Sequence, residues 1–198
     1  GFDKMHPNAA NTYRLEQFFN PVNQRFPVSS PAMKDLLHNY DDRIRVTRIN
    51  TGAPALRLAG SSQQLTLEWP QAVDSNITDF FQIETLSGDL AATLAQPNLI
   101  ALSEQEAKRL FGNTNVTGQQ LQLGEQRFTV SAVYRMPEQS HFQAGSLRRL
   151  SDEVAASRLA MNNVYSYISL PDDIDHSALL QQLSAQLNEQ AYTGRHIT

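Results

Sequence analysis

The chain has 198 residues, a formal net charge of −4, a hydrophobic fraction of 40% and a charged fraction of 18%. These values are typical of a globular protein that folds without disulfides or metals, and they argue against a nucleic-acid-binding domain, which usually carries a basic excess. The absence of cysteine excludes thiol catalysis and cysteine-ligated zinc or iron–sulfur centres.

The two ends of the sequence resemble cut ends. No initiating Met or signal peptide opens the chain, and Ile197–Thr198 follows directly after a polar turn. No run approaches the roughly 20 apolar residues that a membrane-spanning helix needs. We therefore expect the chain to be a segment of a longer protein.

The first 50 residues predict a β-α-β unit. A strand is predicted from Tyr13 to Phe19, and Ser30–Pro31 predicts the start of a helix, because serine caps free backbone amides and proline lacks one. The helix carries an apolar stripe at helical spacing: Met33, Leu36, Leu37 and Tyr40. Ile44 and Val46 then alternate with polar residues, which predicts a half-buried strand.

The next 50 residues predict short elements. Leucine alternates with polar residues on both sides of Gly60–Ser61–Ser62, which predicts a hairpin between 56–58 and 65–69. A short apolar helical turn is predicted from Ile77 to Ile83, and a short helix from Asp89 to Leu94.

The most strongly specified helix follows a short strand at Leu99–Leu102. Ser103–Glu104–Gln105–Glu106 has the pattern of a capping box, in which Ser103 caps the helix and Glu106 reaches back to the amide of Ser103. Gly112 is expected to end the helix in a left-handed conformation, and Glu104 and Lys108 form an i,i+4 ion pair.

The remaining elements are predicted from alternation and helical spacing. A hairpin covers 121–132, a weakly helical segment runs from Gly145 to Met161, and a strand runs from Val164 to Leu170. A helix then opens at Asp175, and a final strand is expected after Gly194. The stripe of that helix is Leu179, Leu180, Leu183 and Leu187.

Candidate chemical groups do not form a recognisable catalytic or metal-binding pattern. None of the five histidines has a partner at a zinc-binding spacing. They are His6, His38, His141, His176 and His196. Asp172, Asp173 and Asp175 lack the pattern of a calcium loop and are interpreted as acidic residues at the positive end of a helix. We predict no catalytic, cofactor-binding or metal-binding residues.

Two further patterns have a structural and a functional interpretation. The adjacent Ser140 and His141 suggest a nucleophile and base, but neighbours on an extended chain point in opposite directions. The basic residues Arg43, Arg45, Arg48 and Arg57 are interpreted as a solvated strand face, with a patch for phosphate or lipid headgroups as the alternative.

Two long segments resemble a known family. They read NLIALSEQEAKRLFG, from Asn98 to Gly112, and VTGQQLQLGEQRFTVSAVYRMPEQSHF, from Val116 to Phe142. Together they resemble the periplasmic domain of MacB-like ABC transporter permeases, in the wider MacB/FtsX/LolC group. The positions that carry the resemblance are Ser103, Glu104, Ala107, Leu110, Phe111, Gly112, Gly118, Val130, Val133, Pro137, Ser140 and His141. FDKMHPNAANTYRLE, from Phe2 to Glu16, and ITDFFQIETLSGD, from Ile77 to Asp89, also resemble family segments in the same order.

This resemblance implies an α+β fold in two parts. A porter-like subdomain would combine β-α-β units from both chain ends, 1–50 and 156–198, in a small sheet with helices on one face. A strand-rich, Sabre-like lobe would be inserted at 51–155. The spacing of predicted elements independently suggests two terminal β-α-β units around an insertion.

The resemblance also implies a function without catalysis by this chain. The domain would lie in the periplasm, as part of a bacterial inner-membrane permease, and would couple cytoplasmic ATP hydrolysis mechanically to export or other periplasmic work. Its expected partners are an ABC ATPase subunit, a second permease copy, and a periplasmic adaptor or a drug, peptide or lipoprotein cargo, with antimicrobial peptide export as one case. No cofactor and no nucleic acid are expected.

Two other functions remain open from the sequence. A free-standing periplasmic module that binds a peptide or lipid would need a deep apolar pocket. A hydrolase would need a cleft in which His141 meets an acidic neighbour. The permease interpretation instead predicts that Phe2 and Thr198 lie near each other on one face.

Overall fold

The computed structural model describes residues 11–52, 55–140, 142–159, 161–190 and 195–198. The strands are β1 (Thr12–Arg14), β2 (Gln17–Phe19), β3 (Gln24–Phe26), β4 (Arg45–Thr51), β5 (Leu56–Leu58), β6 (Pro70–Val73), β7 (Glu84–Gly88), β8 (Leu99–Ser103), β9 (Gln120–Leu123), β10 (Gln126–Arg135), β11 (Ser146–Arg149), β12 (Tyr165–Ser169) and β13 (Arg195–Ile197). The α-helices are α1 (Met33–Tyr40), α2 (Leu90–Leu94), α3 (Glu104–Phe111), α4 (Asp152–Ala155) and α5 (His176–Gln190). None of these helices combines the length and the hydropathy that a bilayer crossing requires.

The chain divides into two compact units. The first unit contains the chain up to Arg48 and from Asp152 onward, and the second contains Ile49–Ser151. Helices pack against strands in both, so the α+β class predicted from the sequence is confirmed.

In the first unit, both chain ends contribute strands. β1 pairs antiparallel with β12, which also neighbours β4, whereas β13, β2 and β3 form a separate antiparallel sheet. The prediction of one strand from Tyr13 to Phe19 is wrong, because the chain changes partners at Leu15–Glu16. The amide of Leu15 donates to the carbonyl of Ser166, and the amide of Glu16 donates to that of Thr198.

The core of the first unit lies under α1 and α5. The predicted stripes are confirmed, since Met33 and Leu37 of α1 and three leucines of α5 are buried. The three leucines are Leu179, Leu183 and Leu187. α1 begins later than Ser30–Pro31 predicts, at Met33, although the Ser30 hydroxyl does accept from the amide of Ala32 at 3.1 Å.

The second unit is built on a mixed sheet. Its strand order is β4–β6–β11–β8–β10–β9–β5, with β7 also paired to β10. The β6–β11 and β8–β10 pairs are parallel and the others are antiparallel. The buried apolar side chains between α3 and this sheet form its core: Leu56, Leu67, Ile100, Leu102, Ala107, Val116, Leu121, Leu123, Phe128, Val130 and Val133.

The second unit also contains strands that the sequence pattern did not predict. All five residues of β7 are exposed, so this strand shows no alternation of buried and exposed side chains. β11 replaces the start of the helical segment predicted from Gly145, because it is hydrogen-bonded to β6 on one side and β8 on the other. The predicted hairpin near Gly60 is limited to a bridge between Leu56 and Leu65.

The Gly88–Asp89 pair, part of the resemblance, has a local structural explanation. A Cβ on Gly88 would lie 2.0 Å from the carbonyl oxygen of Ser131 in β10, and the residue has a φ of +74°. The adjacent Asp89 caps α2 by accepting from the amide of Ala92 at 3.0 Å. Gly88 therefore allows β7 to approach β10 closely, and Asp89 starts α2 directly after β7.

Candidate functional site

A buried carboxylate organises one end of α3 in the second unit. Glu106 is 3% exposed, and its amide donates to the hydroxyl of Ser103 at 3.0 Å, as the predicted helix cap requires. The other half of the capping box is wrong: the Glu106 Oε2 accepts from the amide of Glu68 at 2.7 Å. The amide of Ser103 donates instead to the carbonyl of Gly145 at 2.8 Å.

Arg109 is the second partner of the Glu106 carboxylate. Its Nε pairs with Oε1 of Glu106 one turn earlier on α3, and its Nη2 donates to the carbonyl of Thr66 at 2.6 Å. The hydrogen bond and the negative charge of Glu106 raise the pKa of Arg109 despite the opposing effect of burial. Glu106 and Arg109 therefore attach the segment from Thr66 to Glu68 to α3.

Gly145 packs directly against the backbone of Glu68 and the carboxylate of Glu106, and no larger residue would fit there. A Cβ at Gly145 would lie 2.0 Å from the carbonyl oxygen of Glu68 and 3.2 Å from Oε2 of Glu106. The amide of Gly145 also donates to the carbonyl of Trp69 at 3.0 Å. We call Glu106, Arg109, Gly145 and the segment 66–69 the Glu106 cradle.

The cradle presents an unusual tryptophan. Trp69, the only tryptophan in the chain, is 66% exposed and has a φ of +50°. A bulky side chain rarely adopts this conformation, which persists only when neighbouring contacts enforce it. Here the preceding amide of Glu68 and the carbonyl of Trp69 are both held by hydrogen bonds within the cradle.

A cavity of about 450 Å³ lies beside Trp69 and the first turn of α3. One wall includes Tyr134, which is fully buried and donates from its hydroxyl to the carbonyl of Ala144 at 2.5 Å. Burial, with a smaller contribution from the negative charge of Glu106, raises the pKa of Tyr134 well above its ordinary value. The tyrosine is thus a neutral hydrogen-bond donor that fixes the segment next to Gly145.

Charged side chains, among them Glu104 and Arg135, also line the cavity. Glu104 accepts from Nε of Arg135 at 3.0 Å, and Nζ of Lys108 lies 3.3 Å from its Oε1, which confirms the ion pair predicted within α3. The hydrogen bond from Arg135, followed by that from Lys108, lowers the pKa of Glu104. Glu104 is therefore ionised at neutral pH.

The histidines do not gather into a site in the described part of the chain. His38 lies in α1, and the ring of His176 meets that of Tyr13 edge-on at 5.5 Å. His6 and His141 fall outside the described residues, and His196 lies in β13. Within the described ranges, no group of three His, Asp or Glu residues is placed to hold a metal ion.

The aspartates before α5 have structural contacts. Oδ1 of Asp175 accepts from the amide of Ala178 at 3.1 Å, Asp173 pairs with Arg43 at 3.0 Å, and Asp172 accepts from Asn11. Of the adjacent pair Ser140–His141, only the serine is described, and its hydroxyl accepts from the amide of Phe142 at 3.3 Å.

The basic cluster is not a uniform solvated face. Arg43 pairs with Asp41 at 2.7 Å as well as with Asp173, whereas Arg48 is only 8% exposed. Arg48 donates to the carbonyls of Pro31 and Ala155, so it connects the segment before α1 to the end of α4 inside the first unit. The interpretation as a solvated face is therefore wrong for Arg48.

Comparisons with known proteins agree on one family. The family of the MacB-like periplasmic core domain matches residues 1–186. Among curated proteins, none matches this sequence.

Solved structures show the same fold at low sequence identity. A domain assigned to a permease protein of Porphyromonas gingivalis has a TM-score of 0.76 and 14% identity, over 99% of this chain and 92% of that one. The periplasmic region of MacB from Actinobacillus actinomycetemcomitans has a TM-score of 0.65 and 15% identity, over 96% and 89%. The extracellular domain of the noncanonical ABC-type transporter YknZ from Gram-positive bacteria has a TM-score of 0.61 and 16% identity, over 95% and 100%.

Proposed function

Because the chain belongs to the family of MacB-like periplasmic core domains, we propose that it couples cytoplasmic ATP hydrolysis to export or other periplasmic work. It is the periplasmic domain of a MacB-like ABC transporter permease of the inner membrane. In the proposed mechanism, motion of the membrane part changes the conformation of this domain, which requires different contacts in two states rather than a catalytic residue.

The observation that carries this proposal is the meeting of the two chain ends in the first unit. Gln17 pairs with Ile197, and Glu16 and Thr198 exchange backbone hydrogen bonds of 3.4 Å and 3.0 Å. In an antiparallel pair, the chain that enters one strand and the chain that leaves the other lie side by side. This supports the expectation that both ends of the domain lead to one membrane, although Phe2 itself lies outside the described residues.

We assign the two compact units to the two subdomains of the family plan. The first unit would be the porter-like subdomain, proposed at 1–50 and 156–198, and the second would be the Sabre-like lobe, proposed at 51–155. The ATPase would be a separate cytoplasmic subunit or domain, and a second permease copy would complete the transporter. The cargo would be a drug, peptide or lipoprotein, reached directly or through a periplasmic adaptor.

The alternative, a free-standing module for peptide or lipid binding, has less support. It requires a deep apolar pocket, whereas the cavity beside α3 is lined by charged and polar groups as well as by apolar ones. The match to a permease family over nearly the whole chain also favours the coupling function.

The proposal can be tested by loosening the connection between the domain and the membrane. In the full-length permease with its ATPase, six Gly and Ser residues are inserted directly after Thr198. Such a linker behaves as a flexible coil, so it adds slack between the domain and the membrane part and reduces the motion that reaches the domain. We expect ATP hydrolysis to continue while ATP-dependent export falls at least tenfold.

A matched insertion controls for disturbance of the fold. The same six residues are placed after Gly60, an exposed turn position with open space around its Cα. This variant should export normally. Normal export by the variant with the linker after Thr198 would overturn mechanical coupling through this domain.

A further inference from the structure

We propose that the cavity beside Trp69 binds a lysine or arginine side chain on an extended peptide segment of a partner protein. The proposal concerns recognition by the second unit alone and goes beyond the coupling function. It rests on the size of the cavity, the charge of its walls and the exposed indole at its edge.

The size of the cavity fits a single long side chain with its flanking backbone. Its volume of about 450 Å³ is at the lower end of the range for small-molecule sites. Met136, Pro137 and Ala144 supply apolar surface within it. A lysine or arginine stem can pack on such a surface while its charged end reaches polar groups.

Negative charge dominates the walls. Among the described residues that line the cavity, Arg135 is the one cation, and it pairs with two carboxylates, Glu104 at 3.0 Å and Glu84 at 3.6 Å. The carboxylates in the lining are Glu68, Glu104, Glu106 and Glu138. Including the ion-pair partners Lys108, Arg109 and Glu84 leaves carboxylates in excess, so the cavity favours a cation over an anion.

Two of these carboxylates are well placed to meet an incoming cation. The side chain of Glu68 is 65% exposed, and its nearest cation, Nε of Arg109, lies at 3.6 Å, beyond hydrogen-bond distance. Glu138 is exposed on the segment that follows β10. Within the part of the chain that the structure describes, neither carboxylate has a short ion pair to give up on binding a ligand.

Trp69 supplies the third element of recognition. Its indole is exposed at the edge of a negatively charged cavity, and a guanidinium or ammonium group binds favourably over an indole face. The cradle holds the backbone of Trp69 in a conformation that the residue alone would avoid, so the exposed position is enforced. An aromatic surface next to carboxylates distinguishes a basic peptide from a lipid headgroup phosphate, which the carboxylates repel.

The single tryptophan makes the proposal directly measurable. The whole 198-residue chain is titrated with an acetylated, amidated alanine pentapeptide that has arginine at its centre, and Trp69 fluorescence is recorded. The matched peptide has citrulline, which is similar in shape but uncharged. We expect a saturable change with the arginine peptide and at least tenfold weaker binding of the citrulline peptide.

Substitutions in the lining test which side chains contribute to peptide affinity. Trp69 fluorescence is the readout for variants that keep the tryptophan, and isothermal titration calorimetry is the readout for the variant that lacks it. Glu68→Gln and Glu138→Gln should each weaken binding about threefold, as expected for one exposed ion pair, and added salt should reduce these differences. Glu125→Gln, on an exposed turn that does not line the cavity, should leave binding unchanged.

Trp69→Gly separates binding from folding. Glycine adopts a φ of +50° without strain, so this variant should fold at least as stably as the parent chain and bind the arginine peptide at least tenfold more weakly. Equal binding of the two peptides, tighter binding of a glutamate peptide, or unchanged binding by Trp69→Gly would overturn the proposal.

Discussion

Glu16 in the first unit and Glu106 in the second are both buried carboxylates paired with arginine, but their surroundings differ. Glu16 lies 2.5 Å from Arg14 and 3.2 Å from Arg25, both of them close in sequence and partly exposed. Glu106 pairs with one arginine and uses its second oxygen to hold the amide of Glu68, 38 residues away.

The difference shows two uses of a buried charge. At Glu16, two partly exposed arginines neutralise a carboxylate between β1 and β2, so protonation of Glu16 removes both ion pairs. At Glu106, the carboxylate fixes main-chain geometry and thereby positions Trp69 beside a cavity. The following predictions test this contrast, from the largest expected effect to the smallest.

Gly145→Ala should cause the largest loss of stability. The new methyl group would meet the carbonyl oxygen of Glu68 at 2.0 Å, so the cradle must shift. We expect a loss of about 3 kcal/mol in the free energy of unfolding, at the upper end for overpacking. Urea unfolding followed by Trp69 fluorescence measures this, since the probe lies in the cradle. Gly60→Ala, which meets open space at a φ of +76°, should cost only about 1 kcal/mol.

Glu106→Gln should cost about 2 kcal/mol, since it removes charge-assisted hydrogen bonds from a buried site. The same urea titration should show a shift in the Trp69 emission of the native state, because the Glu68–Trp69 turn loosens. Glu104→Gln, whose ion pairs are more exposed, is the matched control and should have a clearly smaller effect. Equal losses for the two variants would contradict the role given to Glu106.

Ser103→Ala should cost about 1 kcal/mol, the usual effect of losing a helix cap. Ser103→Thr keeps a hydroxyl and should recover most of this loss. If alanine and threonine are equivalent in thermal unfolding, the cap does not stabilise α3.

Trp69→Gly should raise the free energy of unfolding by about 0.5 kcal/mol, because it relieves a left-handed backbone conformation. Since the fluorophore is lost, far-UV circular dichroism in urea is the measurement. A clear loss of stability would mean that the indole packs in the native fold rather than serving a partner.

The smallest predicted effect is the pH dependence that Glu16 contributes to the stability of the first unit. Burial acts to raise the pKa of Glu16, but the hydrogen bonds and charges of Arg14 and Arg25 outweigh it, and the folded-state pKa lies below the ordinary 4.5. The stabilisation is therefore complete above pH 4.5 and is lost as the pH falls through the lower, folded-state value. Circular dichroism of the helices in urea between pH 6 and pH 3 should show this loss, and Glu16→Gln should reduce it.

Local sequence signals predicted the elements that depend on few distant contacts. Ser103 and Gly112 correctly marked the two ends of α3, the latter with a φ of +79°, and the leucine spacing of α5 gave its buried face. β7 and β11 were missed because their strand character comes from hydrogen bonds to β6, β8 and β10 rather than from alternation of their own side chains.

The candidate site was less predictable for the same reason. The pattern around Glu106 was that of a capping box, and only the fold shows that its carboxylate turns to the amide of Glu68. The left-handed conformation of Trp69 depends on Gly145, which is distant in sequence. The sequence offered only two signals for this site: a lone tryptophan within a strand-like pattern, and Gly145, which directly precedes β11.

The most direct test of the coupling function is amide hydrogen exchange in the full-length permease reconstituted with its ATPase. Exchange is compared between the nucleotide-free state and a state held by a non-hydrolysable ATP analogue. We predict changed protection in β2 and β13, where the two chain ends meet, and no change with an ATPase variant that cannot bind nucleotide. Identical exchange throughout this domain in both states would contradict its role as a coupling element.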